Sequence, residues 1–201
     1  MKRNNIVLAI TGASGAIYGL KLGRELLISG VHLTILISAT GFQVIYEETG
    51  LDLKGGSGGV QQALESFFRP EPGQLDYYTA DDFFAPVASG SSAPDAMFIC
   101  PCSMGTLSRI ASGNSGTLLE RCADVMIKER RPLALVPRET PLSEIHLDNM
   151  LKLSRLGVRM VPAMPAFYHR PESVDDLVNF VVGKVLDSLG VENGLYKRWR
   201  G

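Results

Sequence analysis

The chain lacks a long apolar run. No stretch approaches the roughly 18 consecutive apolar residues that suggest a membrane span, so no membrane association is expected. It also lacks an excess of one charge: 20 Lys and Arg stand against 21 Asp and Glu. That balance excludes a bulk field for nucleic acid or an anionic bilayer, so any anion site must be local. Cysteine and histidine are scarce, three of each. Cys100, Cys102 and Cys122 show no zinc or disulfide pattern, and His32, His146 and His169 have no metal spacing. No metal site is expected, and the missing disulfide pattern points to a reducing cytoplasm. The opening run Met1 to Ile10 resembles a short secretory apolar region, but Thr11-Gly-Ala-Ser-Gly15 follows at once and reads as a strand-to-helix turn.

What is present is a repeating strand-helix order. The patterns predict strands at 6–10, 32–37, 96–100, 133–136 and 158–161. Helices are expected at 16–29, from the second strand to about 48, and at 61–68, 106–111, 117–129, 142–156 and 174–189. The Gly-rich stretch 54–60 reads as a surface loop and 77–92 as irregular. This order favours an α/β, Rossmann-like, doubly wound and mostly parallel sheet in a single domain. Residues 1–189 form that domain, and 190–201 a short basic tail whose lone Trp199 suggests docking near the active site.

In such a sheet, ligands bind outside the C-terminal ends of the strands. Four turns are expected there. Gly12-Ala-Ser-Gly15 offers backbone N–H groups, a helix N-terminus and the Ser14 hydroxyl to an anion. Pro101-Cys-Ser-Met-Gly-Thr106 reads as a second such turn, although plain capping by Ser103 accounts for it equally well. Pro137-Arg-Glu-Thr-Pro141 fixes Arg138 and Glu139 at the same edge, and Pro162 to Pro171 brings Tyr168. The second strand ends in Ser38, where a dinucleotide binder usually carries an acid, and no Tyr-x-x-x-Lys occurs. A mononucleotide such as FMN fits better than NAD(P). Lys128, with Arg130 and Arg131, falls at the other end of its strand. It can reach the site only if its helix or a neighbouring subunit carries it there. Glu48 and Lys184 read as surface helix residues on composition.

Taken together, Thr11 to Gly19, Ala88-Ser-Gly-Ser-Ser92, Pro101-Cys-Ser103, Ala123-Asp-Val125, Lys128-Glu-Arg-Arg-Pro132, Pro137-Arg-Glu139, Pro165 to Pro171 and Arg198-Trp199 closely resemble the UbiX-type flavin prenyltransferases. The resemblance implies transfer of a dimethylallyl group from dimethylallyl phosphate to reduced FMN. The product would serve a UbiD-type decarboxylase, as in ubiquinone biosynthesis. It also implies a homododecamer with sites at subunit junctions. By the same resemblance, Gly12, Ala13, Ser14, Ser38, Ser103, Met104, Gly105, Thr106 and Arg138 hold FMN, while Tyr168 and Lys184 hold the prenyl phosphate. Glu139, Glu48, Lys128, Ser14 and Trp199 match catalytic positions. Two alternatives are an FMN-dependent cysteine decarboxylase, from whose Pro-Ala-Ser-Ala-Asn-Thr run this chain departs by lacking Asn, and a flavin carrier without chemistry.

Overall fold

The computed structural model describes residues 4–198. The elements run β1 (Asn5–Ile10), α1 (Ala16–Ile28), β2 (His32–Ile37), α2 (Ala39–Thr49), α3 (Gly56–Phe68), β3 (Leu75–Tyr77), β4 (Ala96–Cys102), α4 (Met104–Ala111), α5 (Leu118–Lys128), β5 (Leu133–Pro137), α6 (Glu144–Arg155), β6 (Arg159–Met160) and α7 (Val174–Ser188). All strand pairs are parallel, in the order β3-β2-β1-β4-β5-β6. The chain therefore reverses its winding between β1 and β4, and a crevice opens outside their C-terminal ends.

The strands are apolar along both faces because helices cover both. Ile6, Leu8 and Ile10 face a core with residues of α1, α2, α3 and α7. Val7 and Ala9 face a second core with residues of α4, α5 and α6. Local signals set several helix starts. Ser38 and Ser103 cap α2 and α4 by accepting from Gly41 N–H and Thr106 N–H, and capping boxes open α5, α6 and α7. Gly19 lets α1 lie against β4, since a Cβ there would collide with the Cys100 carbonyl.

Three expectations need correction. The Gly-rich stretch is helical from Gly56 onward, because Val60, Leu64 and Phe68 bury one face against the core. Packing outweighs the poor intrinsic propensity of glycine there. The irregular region is preceded by a short edge strand, β3, paired with β2 through Leu33 and Leu75, and it contains two 3₁₀ turns at Pro86–Ala88 and Gly90–Ser92. β4 also runs two residues further than its apolar pattern indicated.

Beyond α7 the tail folds back on that helix. Asp187 accepts from Tyr196 Oη (2.6 Å), Arg198 Nη1 (2.9 Å) and Nη2 (2.8 Å), and Asn193 Nδ2 (2.9 Å). Gly183 makes room, because a Cβ there would collide with the Tyr196 ring. Trp199 lies outside the described residues.

Candidate active site at the sheet's switch point

Thr11 joins the two strands that flank the crevice. Its N–H and hydroxyl both donate to the Pro101 carbonyl (3.2 and 2.8 Å), and its Oγ1 accepts from Ser103 N–H (2.8 Å). The turn after β1 and the turn after β4 are thereby held in one geometry. Thr11 is fully buried. Ninety residues separate it from its partners, so nothing local in the sequence marks it.

Three helix N-termini open onto this edge, those of α1, α2 and α4. The first is already occupied. The Glu48 carboxylate accepts from Gly15 N–H (2.9 and 3.0 Å) and Ala16 N–H (2.8 Å). It complements the positive end of α1, so those two donors are not offered to a ligand anion as the turn's pattern suggested. What remains open are the N–H groups of Gly12, Ala13 and Ser14, which have no acceptor among the described residues. The α2 start stands directly opposite, because a Cβ on Gly12 would collide with the Thr40 hydroxyl.

The other predicted residues complete the rim. Ser38 Oγ accepts from Gly41 N–H at 3.1 Å and lies 3.4 Å from Thr40 Oγ1. Ser103 Oγ accepts from Thr106 N–H (3.2 Å) and donates to Thr106 Oγ1 (3.0 Å). Met104 is buried behind that turn and Gly105 is exposed on it. Arg138, at the end of β5, reaches across β4 and donates from Nε to the Ser14 carbonyl (3.0 Å). Glu139 accepts from Thr140 N–H (3.1 Å) and forms no ion pair with Arg138 among the described residues. Both line a small cavity of about 70 Å³ with Met164.

Not every predicted residue meets here. Tyr168 and Lys184 join an aromatic cluster on α7. Tyr168 packs edge-on to Phe180 (5.8 Å), His169 stacks on Phe180 (5.2 Å), and Phe180 packs on Tyr196 (5.1 Å). Lys184 Nζ lies 5.5 Å from the Tyr196 ring centroid, about 15 Å along the axis from the start of α7. Lys128 ends α5 at the opposite edge of the sheet, paired with Glu129 (2.6 Å) beside Gly90.

The comparisons with known proteins bear on this arrangement. The Flavoprotein family profile matches residues 1–186. The flavin prenyltransferase UbiX of Alkalihalophilus pseudofirmus is 50% identical over 194 residues, covering 96% of this chain and 95% of that one. The chain belongs to the UbiX flavin prenyltransferase family. A crystal structure of AnUbiX (PadA1) in complex with FMN and dimethylallyl pyrophosphate superposes with a TM-score of 0.88 at 40% identity, covering 100% of this chain and 99% of that one. A dodecameric FMN-dependent UbiX-like decarboxylase from Escherichia coli O157:H7 superposes with a TM-score of 0.86 at 41% identity, covering 98% and 99%.

The donor set suits a flavin mononucleotide. It offers unpaired N–H groups, neutral hydroxyls and one guanidinium; of the carboxylates nearby, Glu48 is turned onto the protein's own helix, and Glu139 stands beside Arg138. Among the described residues no group of three or more His, Cys, Asp or Glu could hold a metal ion, and no helix is long and apolar enough to cross a membrane.

Proposed function

We propose that this protein transfers the dimethylallyl group of dimethylallyl phosphate to N5 and C6 of reduced FMN, without a metal, giving prenylated FMN for a UbiD-type decarboxylase. The observation that carries the proposal is the convergence of the unpaired N–H groups of Gly12 to Ser14, the open ends of α2 and α4, and Arg138 at one switch point. Ser38, Met104, Gly105 and the hydroxyls of Ser103 and Thr106 complete the cradle for the flavin. Flavin supplies the carbon and nitrogen nucleophiles, and the chain supplies binding, charge and proton transfer.

Phosphate leaves an allyl carbon more readily when fixed cations meet the developing charge. Arg138 stands at the cradle. Lys128 stands at the far edge of its own chain, so in this reading a neighbouring copy presents it, with Gly90 beside it. Lys184 and Tyr168 bind the prenyl phosphate in the same shared site. Aromatic faces at Tyr168 and Trp199 stabilise the cationic allyl fragment by about 1–2 kcal/mol. Glu139, held among the described residues only by a backbone N–H, is free to exchange a proton with the reacting flavin. Glu48 and Ser14 keep the turn after β1 in shape. A homododecamer, with the C-terminal tail near each active site, accommodates this sharing. Three buried free thiols suit a reducing cytoplasm.

Anaerobic incubation of the purified protein with reduced FMN and dimethylallyl phosphate, followed by mass spectrometry of the released flavin, tests the proposal. The expected product is heavier than FMN by one five-carbon unit. Recovery of unmodified FMN from a protein that binds it would make the chain a carrier.

A further inference from the structure

We propose that Arg109, anchored by the buried carboxylate of Glu120, is a positioning residue that orients the Thr106 hydroxyl toward the flavin; this rests on the reading that the Ser103–Thr106 turn holds FMN. The Glu120 side chain is 3% exposed. One of its oxygens pairs with Arg109 Nε, and the other accepts from Thr117 N–H at 3.1 Å. The carboxylate is therefore fixed from both sides, and it fixes the guanidinium in turn. From there Arg109 Nη2 donates to Thr106 Oγ1 at 3.3 Å.

The consequence follows from counting lone pairs. A hydroxyl has one proton and two acceptor positions. Thr106 Oγ1 accepts from Arg109 Nη2 and from Ser103 Oγ, which uses both positions. Its own proton has no acceptor among the described residues, although Thr106 is 2% exposed. A buried donor left over in this way needs a partner. The crevice rim, where the same turn presents Ser103, offers a place for one.

Charge placement supports the same reading. A helical side chain leans toward the helix N-terminus, so Arg109 lies over the first turn of α4, its Nη1 in ordinary contact distance of Gly105. A cation there opposes the α4 dipole. Glu120 offsets that cost, so the pair leaves the positive end of α4 to act beside the cradle. The same charge reaches Cys102, whose thiol burial pushes up to about 12 while Arg109 pulls it down. A reduced flavin, anionic once deprotonated, is favoured by such a donor and such a potential more than an oxidised flavin is.

The pair could instead serve only to join α4 to α5, and the experiment separates the two roles. FMN dissociation constants are measured by fluorescence for the oxidised state and by anaerobic titration for the reduced state, in the parent, Arg109→Met/Glu120→Gln, Thr106→Val and the triple variant. Arg109→Met/Glu120→Gln removes both charges and keeps an acceptor for Thr117 N–H, so no lone buried charge remains. The expected result is a loss of about 3–10-fold in affinity for reduced FMN, a smaller loss for oxidised FMN, and no further loss when Thr106→Val is added. Affinities equal to the parent in both states would overturn the proposal, as would equal losses in both states or losses that add. A parent protein that binds no FMN would instead sink the flavin reading itself.

Discussion

The two edges of the sheet differ in how they use charge and space. At the N-terminal edge lies the larger cavity, about 820 Å³, rimmed by Arg130, Arg131, Arg155 and Arg159. None of the four makes an ion pair with a carboxylate among the described residues. At the C-terminal edge the enclosed space is small, and Arg138 is the guanidinium that crosses the crevice. Size and charge alone would favour the edge away from the proposed flavin cradle. Three helices, α5, α6 and α7, end beside the arginine cavity, and cations suit the partial negative charge of helix C-termini. The arginines answer the fold's own dipoles. At the other edge, the N–H groups of Gly12 to Ser14 and the hydroxyl proton of Thr106 have no acceptor among the described residues, and such unmet donors, more than volume, carry the proposal of a flavin site there.

The largest effect is expected from disturbing the unmet donors. Gly12→Val places carbon where Thr40 already stands. Overpacking of this kind costs about 1–3 kcal/mol, and FMN affinity should fall by about 10–100-fold, measured by fluorescence quenching beside a thermal melt. Parent-like affinity would mean that the turn after β1 does not cradle the flavin.

A smaller effect is expected at the tail, where pH is the probe. Burial pushes the Asp187 carboxyl up, but the hydrogen bonds from Arg198, Tyr196 and Asn193 outweigh it and hold the group below the usual carboxylate range. A lowered value means that docking is complete above about pH 4 and is lost as pH falls through the lowered value. Burial and the bond to Asp187 raise the Tyr196 phenol to about 12. Its contribution is complete below about pH 10 and is lost as pH rises through 12. Limited proteolysis across pH should find the tail protected between these limits. Uniform cleavage would mean that the Asp187 cluster does not hold it.

The smallest effect belongs to the N-terminal edge. Arg155→Ala and Arg159→Ala should each shift stability by no more than about 0.5 kcal/mol and leave FMN affinity within about twofold of the parent. A larger loss of FMN binding by titration would make the arginine cavity part of the site.

The same contrast explains what was legible from sequence. Strand-to-helix turns announce themselves locally, so the β-α order, the cap at Ser103 and the proline-bounded Arg138 could be read directly. Contacts between distant segments could not. Thr11 acts on Pro101 and Ser103, Glu48 closes α1 from α2, and Glu120 anchors Arg109 from another helix; none has a spacing that advertises it. The helix beginning at Gly56 was hidden because its glycines say loop while its buried Val60, Leu64 and Phe68 say helix. Cys102 and Cys122 are buried, and burial pushes both thiols up to about 12.

Lys128 joins the two edges. Within one chain it belongs to the N-terminal edge, yet the proposed reaction needs it at the C-terminal edge of a neighbour. The most direct measurement coexpresses Lys128→Ala and Arg138→Ala chains carrying different tags, purifies oligomers that hold both, and assays formation of prenylated flavin. Each variant alone should lose about 10²–10³-fold in rate. The mixed oligomers should recover activity, because some junctions pair an intact Arg138 with an intact Lys128. Mixed oligomers as inactive as either variant, or Lys128→Ala alone as active as the parent, would contradict a site shared between the two edges.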